Sequence, residues 1–334
     1  METKKLSPEA DGLSTACEIL QNGGVVAIPT ETVYGLAANA YNETAIAKIF
    51  KAKGRPQDNP LIVHIANIDT LYELASEIPE TALKCAEKFW PGPLTMVLKK
   101  TDKVPNAVSA GLDTVAVRMP ANKTAQDIIK SSGLPLAAPS ANISGSPSPT
   151  TANHVLGDMD SKIDAVIMGE NCDVGVESTV ITLVGEHPVL LRPGGVTLEQ
   201  LAEVLPDIEV NPAVLSELKS GEKAASPGMK YKHYAPKTET VLVEGENFAD
   251  FVNQKTNSIA VCFSEEADEI KIPKIIYGSR ENTETQAQSI FAVLREIDEK
   301  GIKTAYVHAP SKDGIGLAVY NRLIRAAAFK VIKL

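Results

Sequence analysis

The sequence predicts an α/β protein with a twisted mixed sheet in a first domain and a smaller, doubly wound βαβ unit in a second. Three observations carry this prediction. Short runs rich in Val, Ile and Leu alternate with stretches of helical periodicity along the chain. In the first part some neighbouring apolar runs, notably 178–183 and 188–192, are joined too briefly for a helical crossover, which makes the sheet mixed rather than purely parallel. In the final third strand and helix alternate regularly, the pattern of a parallel βαβ unit. A length of 334 residues suits about two domains.

The elements follow in order. A helix over about 12–22 ends at Gly23-Gly24, and the buried strand VVAIP (25–29) comes next. Asn42 is a good N-cap for a helix reaching Lys53, and Gly54 is suited to the left-handed conformation that closes it. LIVHI (61–65) is a second strand, followed by short helices at 68–76 and 80–89. Trp90-Pro91-Gly92-Pro93 breaks the pattern before the strand at 94–99. Strands recur at 114–119, 134–138, 165–168, 178–183 and 188–192, with helices near 123–132 and 151–156. The first domain is placed at 1–205. Residues 206–238, rich in Pro, Ser, Glu and Lys, read as an ordered linker. The second domain, 239–334, carries strands at its start, 258–263, 275–278, 304–309 and its end, with helices near 247–255, 281–299 and 315–328.

Bulk composition excludes several classes. With 44% hydrophobic and 22% charged residues, the chain has the make-up of a soluble globular protein. No window approaches the ~18 continuous apolar residues of a membrane span. METKKLSPEADGL lacks the apolar core of a signal peptide, so the cytoplasm is the expected location. The four cysteines and five histidines are scattered and no CxxC occurs, so neither a disulfide framework nor a protein-built metal centre is expected. The net charge of −9 argues against a broad nucleic-acid surface, which needs clustered Lys and Arg. An anion would have to sit in a local basic pocket. GxxxxGK[ST] and GxGxxG are both absent, so any use of ATP relies on another scaffold.

Several strand ends carry polar chemistry, and each admits a plainer alternative. In PTETVYGLAANA (29–40), Thr30, Glu31, Thr32 and Tyr34 either face a ligand at a strand end or cap the next element of a strand–helix loop. Lys51, Lys53 and Arg55 put three cations at a helix end. The macrodipole explains Lys51, whereas Lys-Gly-Arg running into PQDNPL suits a phosphate. His64 lies in an apolar run, where a satisfied core histidine is the usual finding. Arg118 closes TVAVR and serves either a bidentate anion contact or a buried ion pair. Ser140, Asn142, Ser144, Gly145, Ser146 and Ser148 form either an anion nest or a solvated loop. Ser178 and Arg192 again deliver polar groups to a strand end. SPGMKYKHYAP (226–236), with Lys230, Lys232, His233 and two tyrosines, is either a hinge or a lid. Apolar strands ending repeatedly in reactive side chains argue for one composite site.

In order, GGVVAIPTETVYGLAA, the KxR at 53–55 with DNPLIVH, the SxN at 140–142, ESTV, RPGG and SPGMKYKHYAP resemble the two-domain threonylcarbamoyl-AMP synthases, which join a YrdC-like catalytic domain to a Rossmann-like one. The likeness covers nearly the whole chain and shows no departure at these motifs. Each motif alone is weak, and the ordered set is specific.

The resemblance implies a nucleotidyltransferase that turns L-threonine, bicarbonate and ATP into threonylcarbamoyl-adenylate and pyrophosphate. Mg²⁺ would come with ATP rather than on protein ligands, and no organic cofactor is implied. Downstream transferase proteins would use the product to modify a tRNA adenosine beside the anticodon. By the same resemblance Lys53, Arg55, Asn59, Ser140, Asn142, Ser148 and Arg192 line the ATP site, with Tyr231 or Tyr234 closing over the nucleotide. Lys53, Arg55, Ser140 and Asn142 form the catalytic set. Thr32, His64, Thr114, Arg118, Ala138 (through its backbone) and Ser178 hold threonine, which replaces the core reading of His64. Two alternatives stand beside this one. An RNA-binding, tRNA- or ribosome-associated factor is opposed by the acidic charge, and a maturation enzyme using carbamoyl phosphate is opposed by the lack of CxxC.

Overall fold

The computed structural model describes residues 2–216 and 234–334. Twelve strands make the first sheet: β1 Lys4–Leu6, β2 Val26–Ile28, β3 Gly35–Asn39, β4 Ile62–His64, β5 Ala75–Glu77, β6 Leu94–Lys100, β7 Thr114–Arg118, β8 Leu136–Ala137, β9 Ala165–Ile167, β10 Thr179–Thr182, β11 Val189–Arg192 and β12 Glu209–Val210. They lie in the order β1-β9-β2-β3-β8-β4-β7-β6-β10-β11-β12, with β5 paired to β6 off that path. The sheet combines parallel pairs, such as β4 with β7, and antiparallel pairs, such as β6 with β7, so it is mixed as expected. The brief connection between β10 and β11 makes them antiparallel.

Four strands depart from the sequence reading: β1 was not expected, β5 begins inside the helix read at 68–76, β12 lies in the stretch read as linker, and β3 borders the site. Residues 35–39 were expected within a strand–helix loop, but they form β3, antiparallel to both β2 and β8. GLAAN contains no β-branched or aromatic residue, so its intrinsic strand preference is low. Pairing on both edges and complete burial of Leu36, Ala37 and Ala38 override that preference.

Local chemistry places the helix that matters most to the site. Asn42 accepts from the Ala45 amide and starts the helix Glu43–Lys53; Gly54, at φ 62°, ends it in the left-handed conformation. Ala45, Ile46, Ile49 and Phe50 bury its inner face in the main core, which holds the helix's end at Lys53 in place. The four cysteines are buried and unpaired. Among the described residues no helix is long and apolar enough to cross a membrane.

The second sheet has five parallel strands, β13 Glu239–Glu244, β14 Ser258–Cys262, β15 Lys274–Ile276, β16 Thr304–His308 and β17 Val331–Lys333, in the order β15-β14-β16-β13-β17. Helices Thr283–Glu299 and Gly316–Ala326 supply much of its core, and their apolar cluster takes in Val33 and Val176 of the first domain. The two cores therefore meet beside the loop 29–34 and the lead-in to β10.

Candidate active site

The cleft is built by backbone pairing between the two loops singled out in the sequence. The Leu36 amide donates to the Pro139 carbonyl (2.7 Å), the Ala141 amide to the Tyr34 carbonyl (2.8 Å) and the Ser144 amide to the Lys53 carbonyl (2.9 Å). Gly35 sits at this junction, where an added Cβ would come within 3.2 Å of the Ala138 Cβ. The result is a partly open cleft. Its wall includes Thr32, Lys53, Arg55, His64, Arg118, Ala138, Ser140, Asn142, Ser178, Arg192 and Tyr234, which were all expected at the site.

At one end stands a basic cluster. Lys53 is buried, and its ammonium donates to the Ser140 carbonyl (2.5 Å) and the Asn142 carbonyl (2.8 Å). Burial and then the nearby Arg55 push its pKa down to about 7, so near neutrality it gains a proton readily when an anion arrives. Arg55 donates to the Asn59 carbonyl at 3.3 Å. Asn142 spends its amide N–H groups on the Ile143 and Ser146 carbonyls (2.8 Å each), and its Oδ1 has no hydrogen-bond partner among the described residues. Arg192 donates through Nε and Nη2 to the Ser178 carbonyl (3.1 and 3.0 Å) and through Nη2 to Ser178 Oγ (3.2 Å).

The other end is a buried pair with a neutral imidazole beside it. Arg118 Nη2 lies 2.6 Å from Glu31 Oε1, Nη1 donates to Thr32 Oγ1 (2.9 Å), and Nε donates to the Gly92 carbonyl (3.2 Å). Burial pushes the Glu31 carboxyl up, but the Arg118 guanidinium outweighs it and holds the group below the usual carboxylate range. His64 pairs across β4 and β7 with Arg118. Burial and then Arg118 push its pKa down to about 3, and its buried Nδ1 has no hydrogen-bond partner among the described residues. A neutral ring with an open nitrogen suits a hydroxyl or amine ligand rather than an anion.

Other expected residues are placed differently. Asn59 is fully buried beneath Arg55, and Ser148 is buried behind the wall, donating to Glu177 Oε1 at 2.5 Å. Thr114 is not brought to the cleft. It opens β7 opposite Lys99, four residues and about 13 Å along the strand from Arg118 at the other end. Tyr234 lines the cleft, whereas Tyr231, like Lys230, Lys232 and His233, lies outside the described residues.

Two participants were missed: Glu177 and Thr95, whose Oγ1 shares a 2.8 Å hydrogen bond with Ser178 Oγ. ESTV and RPGG are also joined physically. A Cβ at Gly194 would lie 2.3 Å from the Glu177 carbonyl oxygen and from the Thr179 amide nitrogen, so only glycine lets the two segments touch. Among the described residues no group of three or more His, Cys, Asp or Glu gathers to hold a metal ion.

Fold and cleft together define a two-domain α/β protein with one pocket that pairs a phosphate-type basic end with a carboxylate-type arginine end. Comparison with known proteins agrees. Residues 18–194 match the family model described as telomere recombination, which groups Sua5, YciO and YrdC proteins, and residues 196–328 match that of the threonylcarbamoyl-AMP synthase C-terminal domain. The chain is 47% identical to the threonylcarbamoyl-AMP synthase of Pyrococcus abyssi, over 95% of this chain and 94% of that one. It is 43% identical to the Bacillus subtilis protein of the same name, over 99% and 97%. The crystal structure of P. abyssi Sua5 complexed with L-threonine superposes with a TM-score of 0.91 at 43% identity, covering all of both chains. The chain belongs to the threonylcarbamoyl-AMP synthase family.

Proposed function

We propose that this protein is an L-threonylcarbamoyladenylate synthase, a nucleotidyltransferase that performs the first step of tRNA threonylcarbamoyladenosine formation in the cytoplasm. The observation that carries the reading is the polarity of the cleft. Lys53, Arg55 and Arg192 line it together with Arg118, Thr32 and His64, so one cleft holds cations for both a triphosphate and a carboxylate. A P. abyssi relative of the same fold is described in complex with L-threonine, which supports that amino acid as the ligand of the Arg118 end.

In this scheme Arg118 pairs with the threonine carboxylate, and His64, Thr32, Ser178 and the Ala138 backbone fix the amine and hydroxyl. The neutral amine attacks the carbon of bicarbonate, and loss of water leaves a carbamate. A carbamate oxygen then attacks the α-phosphorus of ATP, and the bond to the bridging oxygen breaks to release pyrophosphate. Lys53, Arg55, Ser140, Asn142 and Arg192 bind the triphosphate and stabilise the charge that builds on it, which makes positioning and electrostatics the main catalytic devices. Mg²⁺ arriving with ATP would screen phosphate charge, and the unpartnered Asn142 Oδ1 fits one of its waters. Tyr234, buried at the edge of the cleft, covers the nucleotide. Ser148 and Asn59 support the wall from behind.

The test is pyrophosphate release from purified protein with ATP, L-threonine, bicarbonate and Mg²⁺, each omitted in turn. Release that requires both threonine and bicarbonate supports the proposal. Release with ATP alone, or none from folded protein, overturns it.

A further inference from the structure

Glu177 is an unexpected wall for a pocket that receives a triphosphate. It lines the cleft beside Ser178 and Arg192, only 6% exposed. Burial raises its pKa, but Arg322 and then Arg192 outweigh burial and hold it ionised below the usual range. An ionised carboxylate there repels phosphate unless something cancels it. Its Oε2 accepts from Arg322 Nε at 2.8 Å, and its Oε1 accepts from Ser148 Oγ. Arg322 belongs to the second domain's helix Gly316–Ala326, is wholly buried, and is not part of the cleft wall. It also donates through Nη1 to the Pro193 carbonyl (2.7 Å) and to Asn321 Oδ1 (3.0 Å), and its Nη2 reaches the Glu177 carbonyl at 3.4 Å. One guanidinium thus grips the residue after Arg192 and the residue before Ser178.

We infer that Arg322 is a positioning residue for the nucleotide: from the second domain it neutralises Glu177 and locks Ser148 and the turn after Arg192 in their places at the phosphate end. This rests on the reading of that end as the ATP site. It gives the second domain a part in the active site, because the carboxylate just before β10 finds its ion-pair partner, and its largest compensating charge, outside the first domain. A simple rivet between domains would predict loss of stability alone. Charge compensation predicts that the damage falls on ATP, depends on pH and is relieved by neutralising Glu177.

The experiment measures KM and kcat for ATP and for L-threonine by pyrophosphate release, from pH 6 to 8.5, in wild type, R322M and R322M/E177Q. Removing the partner of a buried carboxylate is expected to raise the ATP KM of R322M about tenfold or more at pH 8, with threonine KM within about twofold. Without Arg322 the Glu177 pKa climbs, so lowering the pH protonates it and the ATP defect shrinks. The double variant, with no stranded charge, recovers most of the ATP KM. A wild-type ATP KM in R322M overturns the inference. So does an equal, pH-independent loss in R322M and the double variant, which would make Arg322 a rivet only. Should R322M fail to fold, R322M/E177Q carries the test: it is expected to bind ATP within about threefold of wild type, and a folded double variant that has lost ATP binding overturns the inference. Wild-type turnover in the same series separates failure of the proposed function, seen in every protein, from failure of this inference, seen only in the variants.

Discussion

Two buried Arg–Glu pairs flank the cleft, and they are mounted in opposite senses. Arg118 and Glu31, 2.6 Å apart, both come from the first domain. Arg322 and Glu177, 2.8 Å apart, bridge the two domains. In the first pair the arginine lines the cleft and the carboxylate steadies it; in the second the carboxylate lines the cleft and the arginine stands behind. A buried pair contributes little net stability, yet losing one partner is costly, because the other charge is then stranded away from water. The first pair therefore presents a cation to a ligand. The second hides an anion from one. The shared motif does two jobs, decided by which member faces the pocket.

The largest effect comes from breaking the first pair. Arg118→Met leaves Glu31 buried and unpaired, with an expected stability loss of about 3–5 kcal/mol at neutral pH in urea unfolding. Adding Glu31→Gln is expected to return most of that stability without restoring threonine binding by calorimetry. Recovery of threonine binding in the double variant would show that Arg118 is not the carboxylate clamp. Lys53→Met makes the contrasting case, since Lys53 is held by two carbonyls rather than by a carboxylate. Turnover is expected to fall by about 10²–10³, the typical cost of a lost charge-stabilising donor. The melting temperature should move little, because the variant removes a buried cation and strands no carboxylate. A large drop in stability with near-normal turnover would assign Lys53 to the scaffold instead.

These pairs also mark the limit of what the sequence discloses. The helix Glu43–Lys53 is legible residue by residue, because its signals, Asn42 and Gly54, are local. Its neighbour β3 is not, because GLAAN owes its strand to partners in β2 and β8 rather than to its own composition. The same holds at the site. Lys53, Arg55 and Ser140 stand out as polar residues crowded at element ends, whereas Glu177 is one glutamate among many until Arg322, 145 residues away, is folded against it. A weak signal was present: Arg322 and Arg325 interrupt an otherwise largely apolar helix, and buried arginines need acceptors. Thr114 shows the converse error: expected by resemblance alone, it lies at the opposite end of β7 from Arg118, which the strand-end reading singles out.

Gly194→Ala sharpens the comparison at intermediate cost. The new Cβ would press on the Glu177 carbonyl at 2.3 Å, against backbone that cannot swing aside. Overpacking of this kind costs about 1–3 kcal/mol, and here the strain falls on the lead-in to β10, where Glu177 of the second pair sits. ATP KM should rise more than threonine KM. Gly54→Ala is the internal contrast: with φ 62° and nothing within 4 Å of the new Cβ, it incurs only backbone strain of about 1–2 kcal/mol. A preferential ATP defect in Gly194→Ala, absent in Gly54→Ala, would tie the RPGG turn to the nucleotide; equal ATP KM in the two variants would separate that turn from the site.

The smallest effect is also the most diagnostic of Lys53. In the empty protein its pKa of about 7 leaves it mostly neutral at pH 8. A bound triphosphate favours the ammonium and raises that pKa, so binding at pH 8 must take up a proton, whereas at pH 6 the proton is already present. Between about pH 7 and the raised pKa, each pH unit weakens ATP binding by at most about tenfold, or 1.4 kcal/mol, as the cost of protonation grows. Below pH 7 the Lys53 contribution is flat. Calorimetry at pH 6 and pH 8, in buffers of different ionisation enthalpy, counts the protons directly. Uptake approaching one proton at pH 8 and near none at pH 6, both absent in Lys53→Met, is the expected pattern. Equal uptake at the two pH values would mean that Lys53 is already charged in the empty cleft. Its two carbonyl partners would then have offset the burial, and the basic end would be preorganised rather than charged by its ligand.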